Sequence, residues 1–132
     1  GTSATNTTEF DIFKLDATDY PLQNLANSTK KNITYTAADG RFTFAQAGIY
    51  VFSLTVKALN DAINYVKYYQ NGTEIGSYQV SISAGIAVPT RGPLFIRPFS
   101  ASDYLNVTIA PTSGDVKVYS GYDTSISIFR IF

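Results

Sequence analysis

The side chains that most often do chemistry at neutral pH are missing from this chain. It has no His and no Cys. The usual general base, the thiol nucleophile, the thiolate metal site and any disulfide framework are therefore excluded together. Ser and Thr are plentiful, but a hydroxyl nucleophile needs a base beside it, and no standard nucleophile–base pair can be assembled. What remains is carboxylates. The only Glu residues are Glu9 and Glu74. Two carboxylates facing one cleft would suit glycoside hydrolysis, yet Glu9 stands in an N-terminal flank and Glu74 just after a turn signal, where solvated charges are expected. Asp39, Asp61, Asp103, Asp115 and Asp123 each border a predicted turn, where Asp is favoured because its side chain bonds its own backbone. Loop Asp residues and carbonyls could instead hold calcium, but the D-x-D-x-D-G spacing of a calcium loop does not occur. The expectation is a non-enzyme without cofactor, calcium being the one ion the loops could take. A small carbohydrate-active enzyme is the third-ranked reading.

The elements that would have to position any site are strands. The chain has 132 residues, within the range of one domain. It is long enough to bury roughly two-thirds of its unfolded surface and so to fold without staples. Ten Tyr and nine Phe stand among many Thr, Val and Ile, a β-rich composition, and no segment carries a helical apolar stripe over three turns. Residues 1–8 are small and polar and read as a flexible tail or linker from a longer parent, with a single domain over 9–132. No Met is present, which suits a processed product, a fragment or a trimmed piece of a longer chain. Alternation predicts strands at 10–15, 32–36, 41–44, 49–59, 64–70, 74–83, 104–110, 116–119 and 125–132. A broken or edge strand is expected over 86–98, interrupted by Pro89, Gly92 and Pro93. Residues 16–31 read as a long surface loop. Asp39-Gly40 and Asn71-Gly72 are hairpin signals. About ten regularly spaced strands make a sandwich or jelly roll. Ten Lys plus Arg balance ten Asp plus Glu, which argues against nucleic acid and anionic membrane surfaces, and no apolar run is long enough to span a bilayer.

Gly40 to Phe52, G-R-F-T-F-A-Q-A-G-I-Y-V-F, resembles a strand pair of the complement-q globular head, whose pattern is G-x-F-x then G-x-Y-x-F. Tyr68-Tyr69-Gln70-Asn71-Gly72 resembles that family's strand ending in Asn-Gly. Leu94-Phe95-Ile96 followed by Ser102-Asp103-Tyr104-Leu105-Asn106-Val107 resembles its apolar strand, Gly-Asp, apolar strand segment, with Ser102 where Gly is usual. The C-terminal S-I-S-I-F-R-I-F resembles its closing strand, with Ile126 and Ile128 in place of Phe and Gly and Phe129 retained. The resemblance covers residues 10–132. It implies an all-β, ten-stranded antiparallel jelly roll of the tumour necrosis factor type, assembled as a homotrimer, that binds rather than catalyses. Related heads cap bacterial, viral and phage fibres.

So many aromatics exceed what two small sheets bury, and the surplus calls for an interface or a binding surface. Tyr50, Phe52, Phe95, Phe99, Phe129 and Phe132 are the candidates for the trimer axis. Simple alternation offers Phe44, Tyr50, Phe52 and Phe129 the competing role of ordinary core. Tyr65, Tyr68, Tyr69, Tyr78, Tyr119 and Tyr122 are the candidates for ligand contact, with Tyr65 and Tyr69 on one face of their strand and Tyr68 on the other. Sequons occur at Asn6, Asn27, Asn32, Asn71 and Asn106. A secreted domain of this size usually carries a disulfide, so the lack of Cys favours a viral or bacterial exterior over animal plasma. The reading is a trimeric structural and recognition head on a virion surface or otherwise extracellular, whose partners are its own copies and a receptor or surface glycan or protein. The alternative is a secreted complement-q or tumour-necrosis-factor-like ligand that clusters a cell receptor.

Overall fold

The computed structural model describes residues 3–6, 9–14, 32–59, 63–81, 89–114, 116–119 and 124–132. Among them every regular element is a strand: β1 Ser3–Asn6, β2 Phe10–Asp11, β3 Ile33–Thr36, β4 Arg41–Phe44, β5 Gly48–Leu59, β6 Ile63–Gln70, β7 Thr73–Ser81, β8 Pro89–Arg91, β9 Phe95–Phe99, β10 Tyr104–Pro111, β11 Val116–Tyr119 and β12 Ser125–Arg130. All pairings are antiparallel. One six-stranded sheet runs β1-β11-β5-β12, with β8 and β9 also on β5; the other runs β3-β4-β10-β6-β7, with β2 on β10.

The long strand β5 organises the first sheet. Its residues Tyr50, Val51 and Phe52 pair with β9 and with β12 at once, which places those two strands on opposite flanks. Alternation then sorts the side chains. Tyr50, Phe52, Leu54, Val56 and Ala58 point into the sandwich and meet Phe42, Phe44, Val66, Tyr68, Leu105, Val107 and Ile109 from the second sheet. Phe44 stacks on Phe99 at 4.1 Å, and Phe52 lies parallel to Phe95 at 5.7 Å. Each fully buried Phe, Leu or Ile contributes roughly 1.5–3 kcal/mol, so this inner layer dominates stability.

The turns obey local chemistry. Asn71 and Gly72 both have positive φ, 51° and 82°, as a two-residue hairpin requires. Gly40 closes the β3–β4 turn at φ 66°. The expected break in 86–98 falls between β8 and β9, where Gly92 N–H still donates to Leu54 O at 2.8 Å.

Three local expectations are corrected. Ser3–Asn6, expected as tail, forms β1 against β11; an edge offers unpaired backbone groups that any sequence can bond. The strand expected at 10–15 ends at Asp11, because Asp11 Oδ1 accepts from Phe13 N–H at 2.9 Å and turns the chain. Ile12 and Phe13 are both fully buried as a result, which alternation forbids. The last strand ends at Arg130 rather than Phe132. The loop expected at 16–31 lies outside the described residues, as do Asp61, Asp115 and Asp123.

Candidate recognition surface

The carboxylates sort first. Glu9 and Glu74 are brought to the same outer sheet face, each 3.7 Å from Lys67 Nζ. Tyr69 OH and Thr108 Oγ1 donate to Glu9 Oε2 at 2.6 and 2.8 Å. Partial burial pulls the Glu9 carboxyl up, but Tyr69, Thr108 and Lys67 together hold it below the usual range. A general acid needs the opposite shift. Asp103 closes the turn between β9 and β10: it accepts from Gln70 Nε2 at 3.0 Å, Asn71 Nδ2 at 2.9 Å and Ser100 N–H at 2.7 Å, and these bonds, led by Asn71, lower its pKa. Among the described residues no group of three or more acidic side chains is placed to hold a metal ion.

The tyrosines divide as the period of two demands. Tyr68 is fully buried and packs on Phe52 and Phe95, which corrects its place among ligand contacts. Tyr65 is exposed and Tyr69 half-buried on the opposite face. Tyr78 is half-buried with its ring against Gly92. The hydroxyls of Tyr68 and Tyr78 are out of water and lie beside each other, and burial drives both phenols upward. Tyr119 is half-buried, with the ammonium groups of Lys57 and Lys117 each 5.1 Å from its ring centre. Tyr122 lies outside the described residues.

The candidates for a trimer axis divide too. Tyr50, Phe52 and Phe99 are buried within the chain and cannot also face another subunit. Phe95 is half-buried and points inward onto Phe52 and Tyr68. Phe129 and Phe132 are 52% and 78% exposed, so Phe129 is not core. Phe129 sits directly across from Val51, and Val51 from Ile96 on the other flank. The three form a continuous apolar row across β12, β5 and β9. Beside it Pro98 pairs with Ile49, and Ile131 N–H donates to Ile49 O at 2.8 Å. Ile96, Leu94 and Ile131 are 65%, 61% and 42% exposed. The next row, Ser127 and Ser53, is polar and bounds the patch. Sequence reasoning did not place Leu94, Ile96 or Ile131 at an interface. The signal was present in the alternation, which turns Phe95 inward and its two neighbours out.

A cleft of about 440 Å³ adjoins this face where β3 and β12 approach, lined by Tyr50, Ile33, Ile128, Asn32, Gln46, Phe129 and Arg130. Gln46 Oε1 accepts from Asn32 Nδ2 at 3.3 Å and from Arg130 Nη1 at 3.2 Å. Tyr50 OH donates to Gln46 O at 2.8 Å.

No protein-family model and no curated protein matches the sequence. Among solved structures the chain is similar to one described as Eiger TNF from S. frugiperda. The two are 16% identical, the match covers 99% of this chain and 92% of that one, and the TM-score is 0.58. The fold is thus an antiparallel all-β jelly roll of the tumour necrosis factor type. At this identity the likeness is one of fold, and function rests on the site.

Proposed function

We propose that this chain is a non-enzymatic, homotrimeric recognition head displayed outside a virion or cell, with the β9–β5–β12 face buried between subunits. The observation that carries the reading is the set of exposed apolar side chains Ile96, Phe129, Leu94 and Ile131 grouped around the buried Val51 on this face. Contiguous apolar surface of this kind is costly to leave in water and marks an interface. A closed ring of identical subunits covers it without leaving a growing end. The absence of His and Cys and the lowered Glu9 leave a binding role as the better fit. Tyr65, Tyr69, Tyr119 and Tyr122 are the aromatics retained for partner contact.

Absolute mass by light scattering tests this. The expected result is about three times the 14.4 kDa chain mass, unchanged by a calcium chelator. A monomer would sink the assembly, and a trimer that dissociates on chelation would move a metal into the loops. The second reading, a soluble ligand that clusters a receptor, is favoured by the likeness to a structure described as TNF. It shares the trimer and differs only in what the outer surface binds.

A further inference from the structure

The two flanks of β5 differ in shape. On the β12 side lies the cleft toward β3, and on the β9 side Ile96 projects, 65% exposed. The polar groups around the cleft are already committed to one another. Gln46 Oε1 accepts from Asn32 and Arg130, Gln46 O accepts from Tyr50 OH, and Arg130 Nε donates to Phe132 O at 2.7 Å. No carboxylate lines the cleft. An apolar side chain entering it breaks none of these bonds, and it meets Ile33, Ile128 and Phe129. Removing one buried Leu side chain from a protein core leaves roughly 150 Å³, so a cleft of about 440 Å³ admits an aliphatic side chain with room to spare.

Backbone register sets the levels. Ile96 and Phe129 both pair with Val51, so they stand at one height along β5. Rotation about an axis parallel to β5 preserves height. In a closed ring each subunit offers one flank to the opposite flank of its neighbour, and Ile96 of one copy arrives at the level of Phe129 of the next. We infer that in the trimer each Ile96 side chain seats in the β3–β12 cleft of the adjacent copy, against Phe129, Ile33 and Ile128. The cleft is then half a site, completed only by a second copy of the chain. The inference rests on the trimeric reading and names the contact that closes the ring.

The chain has no Cys, so introduced thiols report alone. Within one chain Ile96 and Phe129 are separated by two strand spacings, about 10 Å, whereas a disulfide needs Cα atoms within about 7 Å. A disulfide between Ile96→Cys and Phe129→Cys therefore joins two subunits. The test is light scattering on the full chain carrying both changes while reduced, then mild oxidation and non-reducing electrophoresis. The expected result is a trimer before oxidation and a covalent trimer, with nothing longer, after it. Each single variant should give no more than a covalent dimer, because one thiol per chain makes one bond. Ile96→Cys with Ile33→Cys probes the β3 wall of the cleft in the same way and should also give the covalent trimer. A trimer in which neither pair links would overturn the seating and leave the trimer standing. A monomer while reduced would overturn both, and a covalent ladder beyond three would overturn the closed ring.

Discussion

Asp11 shows how one residue can tie two elements together and set a pH response. Its Oδ1 accepts from Phe13 N–H and its Oδ2 from Asn106 Nδ2, each at 2.9 Å. Asn106 Nδ2 also reaches Asp39 O and Gly40 O. Lys14 and Tyr35 are the other titratable groups felt there. Burial outweighs the hydrogen bonds and Lys14, and pushes the Asp11 carboxyl up to about 6. A carboxyl whose folded pKa is raised costs stability while ionised, above about pH 6, and that cost is relieved as pH falls toward the unfolded value. The gain is on the order of 3 kcal/mol. Glu9 and Asp103 have lowered values, so their contributions are lost only as pH falls below the ordinary carboxylate range. The thermal midpoint should therefore rise from pH 7.5 to pH 4.5, then fall on further acidification, and Asp11→Asn should remove the first slope. A midpoint flat across that span in the parent would refute the assignment. A second residue carries strain of another kind. Ser102 sits at φ 74°, a left-handed conformation that costs a residue with a Cβ about 1–2 kcal/mol. Ser102→Gly should stabilise by a net of about 0.5–1 kcal/mol in urea unfolding, after the greater chain entropy of Gly is subtracted.

At the scale of elements, the seam between β7 and the β8–β9 segment is held by the missing side chains of two glycines. A Cβ on Gly76 would stand 2.6 Å from the Phe95 ring, and one on Gly92 would overlap the Tyr78 ring. Both rings join the Phe52–Tyr68 cluster, so neither can retreat without disturbing the core. Gly92→Ala is expected to cost about 1–3 kcal/mol by overpacking. In a Tyr78→Ala background the same change should cost much less, and additive losses in that cycle would show that the contact is not the cause.

For the whole molecule, the distribution of apolar residues decides assembly. Ile96 and Phe129 are more than half exposed in the single chain, so replacing them should scarcely alter monomer stability, within about 0.5 kcal/mol. Each of Ile96→Glu and Phe129→Glu places a charge in the middle of the face proposed for association. Either should give a folded monomer by light scattering with an unchanged β-rich circular dichroism spectrum, while Tyr65→Glu on the opposite sheet should leave the trimer whole. Trimers from both face variants would mean that another surface holds the subunits.

Local patterns carried what depends on neighbours along the chain. Alternation located most of the described strands, and Asn71-Gly72 marked its hairpin because a two-residue turn needs positive φ at both positions. The lack of His and Cys removed whole reaction classes before any fold was known. Alternation also put Tyr68 opposite Tyr65 and Tyr69, but period two says only that two faces differ, not which one meets another sheet. Tertiary structure made that choice: Tyr50, Phe52 and Phe99 face the second sheet and are spent on the core, while Ile96 and Phe129 face out. The apolar row exists only because β9 and β12 pair with the same three residues of β5, a register no local pattern encodes. The cleft likewise joins Asn32 and Gln46 to Arg130, far apart along the chain, and their meeting is a property of how the two sheets close.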